Sequence, residues 1–211
     1  MIKRNLVFII VISILSLLFI SCSNENNEIQ SLIEKTEILD SKFSCYEIGY
    51  DEYMKEIKDI YSSTYTDKKH LKRIFPNPEI DKEYYIDVYE NGMGEKIKYT
   101  KIVECKTQLK ISKVYDIKDN TKTIYTKTKI EFEDKDFGKD GPLIIEKKYY
   151  ILKEGNKWRI TGADSKYYNE KDIKKYGNKL IFKTINDKPV EYIETIDPLT
   201  AKHSIQIVHW Q

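Results

Sequence analysis

The side chains in this sequence that could do chemistry are few and scattered. The three cysteines, Cys22, Cys45 and Cys105, show no C-x-x-C spacing and have no histidine close by in sequence. They therefore offer neither a zinc centre nor a cysteine–histidine nucleophile. Of the three histidines, His70 stands among Lys68, Lys69, Lys72 and Arg73 and reads as part of a solvated helix face. His203 and His209 would lie about 20 Å apart along a strand at roughly 3.3 Å per residue, too far to share a metal. Asp134, Asp136 and Asp140 have the opening rhythm of a calcium loop. However, Gly138 stands where a third ligand belongs, Lys139 replaces the turn glycine, and Ile145 occupies the position of the closing glutamate. There is no G-x-S-x-G and no G-x-x-x-x-G-K. The sequence thus predicts no catalytic residue, no metal and no cofactor.

What precedes Cys22 gives that cysteine a different meaning. Lys3 and Arg4 open a chain that then runs apolar from Leu6 to Ile20, broken only by Ser13 and Ser16, before Ser21-Cys22 and the polar stretch SNENNEIQ. This is the plan of a secretory signal, and the run is short against the roughly 20 apolar residues a membrane-spanning helix needs. Leu18-Phe19-Ile20-Ser21-Cys22 resembles the lipobox of bacterial lipoproteins, with Phe19 standing where that family usually has leucine. The resemblance implies that residues 1–21 are a cleaved signal peptide. It also implies that the Cys22 thiol carries a diacylglycerol anchoring the protein to the cell membrane on its extracytoplasmic face. Two acyl chains make a stable anchor where one holds only marginally.

Outside the cytoplasm Cys45 and Cys105 could pair as a disulfide. The alternative is that both are small buried hydrophobes, since Cys105 lies on the apolar side of a strand pattern. The charge balance excludes another class of function. Of 36 basic and 34 acidic residues, the surplus is Lys3 and Arg4, so the mature chain is neutral. Arginine occurs only at positions 4, 73 and 159, which leaves few bidentate forks for phosphate or guanine, so nucleic-acid binding is not expected.

The elements that would position any site change period along the chain. Ile29, Leu32, Ile33 and Leu39 show a weak helical spacing behind a tether, residues 23–30. Tyr50, Tyr53, Met54, Ile57, Ile60 and Tyr61 make a firm amphipathic stripe. Thr66 can cap a shorter helix that Pro76 and Pro78 end. From Ile97 to Ile117 the apolar residues fall on odd numbers, a half-buried strand pattern too long to stay flat and expected to break near Lys101. Ile124 to Phe132, Leu143 to Lys153 and Trp158 to Gly162 follow as strands with short links, which predicts an antiparallel meander. A helical turn near 169–175 and β segments over 180–185, 189–196 and 203–210 complete the chain.

Helices followed by a curved meander whose last strand carries Trp158-Arg159-Ile160 resemble the NTF2-like superfamily, a cone-shaped α+β fold. That resemblance implies N-terminal helices packed against a curved antiparallel sheet over residues 46–164. Residues 22–45 then form the lipidated cysteine and its tether, and 165–211 a small C-terminal β extension. Since this superfamily contains enzymes, ligand binders and assembly modules, fold leaves function open. The expectation is a lipid-anchored, non-catalytic domain that binds a protein partner at the envelope. One alternative is a binder of a small apolar ligand inside the cone, and another is an isomerase or dehydratase. An enzyme of that kind needs a carboxylate inside, and parity puts Glu104, Asp116, Glu131, Glu133 and Glu146 outside. The interior is therefore expected to hold no acidic group. The 17 tyrosines could line a pocket or an interface, or could reflect composition alone.

Overall fold

The computed structural model describes residues 25–45, 47–63, 86–88, 95–118 and 120–210. Both the signal segment and the helix expected after Thr66 lie outside them. Residues 25–44 form one helix, α1, so the segment expected as a tether is helical from residue 25 onward. The reason is Ile29 and Ile33, one turn apart and fully buried, which commit the helix to the core from its second turn. Helix α2, Tyr50–Ile57, buries Tyr53 and Ile57. It ends earlier than the stripe suggested, because Ile60 and Tyr61 leave the helix to dock on the sheet, where Tyr61 bridges Ile160. Among the described residues no helix is long and apolar enough to cross a membrane.

The fold is α+β, with the helices before an antiparallel sheet. Its strands are β1 (Ile86–Val88), β2 (Glu95–Ser112), β3 (Tyr115–Lys118), β4 (Thr121–Phe132), β5 (Leu143–Glu154), β6 (Lys157–Tyr168), β7 (Tyr192–Ile196) and β8 (Lys202–Trp210). β2, β4, β5 and β6 are sequential neighbours, the expected meander. Short turns set its register: Glu154 pairs Lys157 across a two-residue loop in which Gly155 has φ 62°, a conformation glycine adopts at no steric cost. β7 and β8 run in succession along the other edge of β2, pairing Leu109 to Ser112 and then Lys96 to Glu104.

The long strand does not break near Lys101, where β8 pairs continuously with β2. The interruption comes at 113–114, and pairing with β4 resumes one residue out of step, Ile111 with Thr126 but Tyr115 with Thr123. This bulge reverses parity. Before it, Leu109 and Ile111 join Ile29, Ile33, Ile57, Ile124, Tyr149, Ile151 and Ile160 in the core beneath the helices. After it, Tyr115 stacks edge-on against Tyr125 on the opposite face.

That opposite face is not left to water. A one-turn helix, α3 (Lys135–Gly138), closes the β4–β5 link, with Asp134 accepting from the Asp136 N–H as its N-cap. After β6, helix α4 (Glu170–Tyr176) starts in a capping box between Asn169 and Asp172. The chain from 177 to 191 then straps back across the sheet, where Phe182 meets Tyr125.

Candidate functional site

On α1 the stripe that buries Ile29 and Ile33 continues through Glu37, Asp40, Ser41 and Ser44, at helical spacing. The first half of the stripe is apolar and seals the core; the second half is polar and lines a cleft of about 470 Å³ between the helix and the sheet. β4 and β5 supply the floor with Thr128, Ile130, Ile145 and Lys147. The far wall is Leu199 and Thr200, between β7 and β8, and His203 on β8. Thr107 fixes that wall: its hydroxyl donates to the Thr200 carbonyl at 2.5 Å and accepts from the Thr200 N–H at 2.7 Å.

Glu37 is 5% exposed. One carboxylate oxygen accepts from the Thr126 hydroxyl at 2.7 Å and the Tyr149 hydroxyl at 2.9 Å, and the other from Lys147 Nζ at 2.8 Å. A buried carboxylate is tolerable only when paired and hydrogen-bonded in this way. Lys147 Nζ also lies 3.6 Å from Asp40, whose other oxygen accepts from the Tyr53 hydroxyl at 2.8 Å. Burial alone would lower the Lys147 ammonium, but Glu37 and Asp40 outweigh it and hold the group above lysine's ordinary value. Asp40 is raised too, which for a carboxylate favours the neutral form: burial, opposed by Lys147 and aided by the neighbouring Glu37, raises it. Burial, then the Lys147 charge, lowers His203, which is therefore neutral at pH 7. Tyr53 and Tyr149 are raised, chiefly by burial, and stay protonated as donors.

A second buried carboxylate lies on the opposite face. Glu146 is 1% exposed, although its strand parity points it away from the helices as expected. The strap after α4 covers it with the Phe182 N–H, which donates at 2.8 Å, while Tyr192 of β7 reaches it at 3.5 Å and Lys127 Nζ of β4 at 3.4 Å. The expectation of an interior free of acidic groups is corrected at two positions. Glu146 is buried because the other face of the sheet is roofed, and Glu37 because α1 carries it inward. Glu104, Glu131 and Glu133 are exposed, as parity required, whereas Asp116 is exposed although the bulge turns it to the helix side, opposite Lys122.

Cys45, at the end of α1, and Cys105, on β2, are both buried. Burial, with lesser contributions from Cys45, Glu104 and Glu133, pushes the Cys105 thiol up to about 11, so it is not a thiolate at neutral pH. Asp134 is a helix cap, and Asp140 pairs with Lys171 at 3.0 Å.

Sequence reasoning found His203 but gave it no role, and it missed Glu37, Asp40 and Lys147. The available signal was Glu37 and Asp40 continuing, by helical steps, the stripe opened by Ile29 and Ile33. No family model matches the chain, and neither a curated protein nor a solved structure does.

Proposed function

We propose that this chain is a lipid-anchored, extracytoplasmic domain, NTF2-like in fold, that binds a protein partner at the bacterial cell envelope and is itself non-catalytic. The anchor reading rests on the basic start, the apolar run and Ser21-Cys22. The fold reading is supported by helices on one face of a sequential antiparallel sheet.

The observation that carries the binding reading is the cleft beside α1, a recess whose ion pair is already complete. Glu37 has three donors and Lys147 two carboxylates, so the groups deepest in the cleft are structural and preorganised rather than poised to transfer protons. The lining mixes Ile130, Ile145 and Leu199 with hydroxyl, carboxylate and imidazole groups, and the charged groups Glu37, Asp40 and Lys147 on one side of it suit a polar group of a partner better than a wholly apolar ligand. Asp40, raised and 24% exposed, favours the second reading, an acid–base enzyme.

The anchor is tested by fatty-acid labelling: wild type takes up label and Cys22→Ala does not. Binding is tested by isolating the acylated protein from its own membranes in mild detergent. The partner is retained by wild type and lost with Asp40→Lys, which reverses charge at the cleft without touching the lipid. Turnover abolished by Asp40→Asn would instead establish the enzyme. The same compartment allows the Cys45–Cys105 disulfide; alkylation of the denatured chain before and after reduction distinguishes it from two thiols.

A further inference from the structure

At the end of the sheet where α1 begins, two lysines lie against one indole. Lys122 on β4 and Lys153 on β5 hold their ammonium groups 5.3 and 5.2 Å from the Trp158 ring centre. They line a recess of about 340 Å³ together with Trp158, Glu25, Asp116, Ile117, Lys118, Asn120 and Thr121. Glu25, the first described residue of α1, pairs with both lysines, and Asp116 lies 3.3 Å from Lys122. The ring is 7% exposed, and its Nε1–H is buried without an acceptor among the described residues. A buried donor without an acceptor is costly in a folded protein and calls for an explanation. Three lysines against two carboxylates leave the recess with a net positive charge.

Position supplies the occupant. Glu25 is three residues after Cys22, and three trans peptide units span at most about 11 Å between Cα atoms. If Cys22 carries the anchor, this end of the domain cannot stand farther from the lipid surface than about that distance. We propose that the β3–β4 and β5–β6 turns form the face laid against the membrane, and that the recess of Lys118, Lys122, Lys153 and Trp158 takes the phosphate of an anionic phospholipid headgroup. The proposal rests on the anchor reading. The phosphate oxygens would accept from the indole N–H and compete with Glu25 for the two ammonium groups. An acyl anchor joined to a basic patch also fixes the orientation of the domain, holding the partner cleft at a set angle to the membrane.

Trp158 itself reports the contact, because Trp210 is the second of only two tryptophans and is removed as Trp210→Phe. The processed, acylated chain is placed in phosphatidylcholine vesicles, with and without phosphatidylglycerol, that carry a nitroxide on the headgroup. The expected result is quenching of Trp158 that is stronger with phosphatidylglycerol and falls in Lys122→Gln/Lys153→Gln. Lys118→Glu, at an exposed position, lowers it without disturbing the Glu25 pairs, so a folding defect in the double variant would not decide the matter. Quenching absent from vesicle-bound protein, or unchanged by these substitutions, overturns the proposal. Inorganic phosphate shifting Trp158 emission while headgroups do not quench it would assign the recess to a soluble anion, and also overturns it. If the chain proves unacylated, the anchor reading fails separately, and the unacylated chain added to the same vesicles decides the site. Lysine-dependent binding, weakened about fivefold per lysine, then supports it, and no binding overturns it.

Discussion

Glu37 and Glu146 are both buried carboxylates with a lysine partner, yet they serve opposite faces of one sheet. Glu37 reaches its partners from a helix, and the network it anchors ends, through Lys147 and Asp40, at an open cleft that His203 also lines. Glu146 is capped by a main-chain N–H of a strap that runs over it, and it lines none of the recesses described above. An ion pair at the foot of a cleft holds polar side chains in place for something that enters. One beneath a strap fastens the strap. Burial of a carboxylate alone therefore does not mark a site; what stands on its open side does.

Removing each lysine should separate the two most widely. Lys147→Met leaves Glu37 buried without its charge partner, and an unfolding free energy lower by about 3 to 5 kcal/mol is expected in denaturant titration. Lys127→Met should cost less, about 1 to 3 kcal/mol, because Lys127 is partly exposed and the Phe182 N–H still donates to Glu146. Equal losses would mean that the two sites are built alike.

The core that both faces share gives the next effect. Leu109, fully buried among the helix-side residues, should lose about 2 to 5 kcal/mol as Leu109→Ala, whereas exposed Lys110→Ala should stay within about 0.5 kcal/mol. Matching melting shifts would put the strand face the other way.

Smaller effects come from pH on the cleft side. His203 is lowered in the folded state, so its contribution is full above the ordinary value of 6.5 and is lost as pH falls from there through the folded value. His203→Gln should flatten that decline. Asp40 has the opposite sign: raised in the folded state, it contributes fully below 3.8, and the contribution is lost as pH rises through the folded value. Asp40→Asn, which keeps a carbonyl acceptor for Tyr53, should melt higher at neutral pH relative to wild type than it does in acid. The exposed pair of Lys171 with Asp140 marks the bottom of the scale; Lys171→Ala should change stability by about 0.5 kcal/mol or less.

The strands were legible in the sequence because period-two alternation records which side of a sheet is dry. Val103, Cys105, Leu109 and Ile111 sit where that pattern put them. Two things were not legible, for physical reasons. A bulge costs one residue and leaves no compositional mark, so the parity reversal at 113–114 could only be guessed at, and it was expected a dozen residues too early. A roof over a polar face depends on contacts between distant segments, so Glu146 looked solvated until Phe182 and Tyr192, some forty residues later, were brought onto it. The cleft was hidden in the same way: Glu37 and Lys147 are 110 residues apart.

The difference between the two faces is tested most directly by a photo-crosslinking side chain placed in turn at Ser41, inside the cleft, and at Ile185, exposed on the strap and 53% accessible. Both forms are irradiated as acylated protein in its native membrane. The account predicts one discrete adduct from position 41, diminished by Asp40→Lys, and none of comparable yield from position 185. Equal adducts from both positions, or a discrete adduct from position 185 alone, would contradict it.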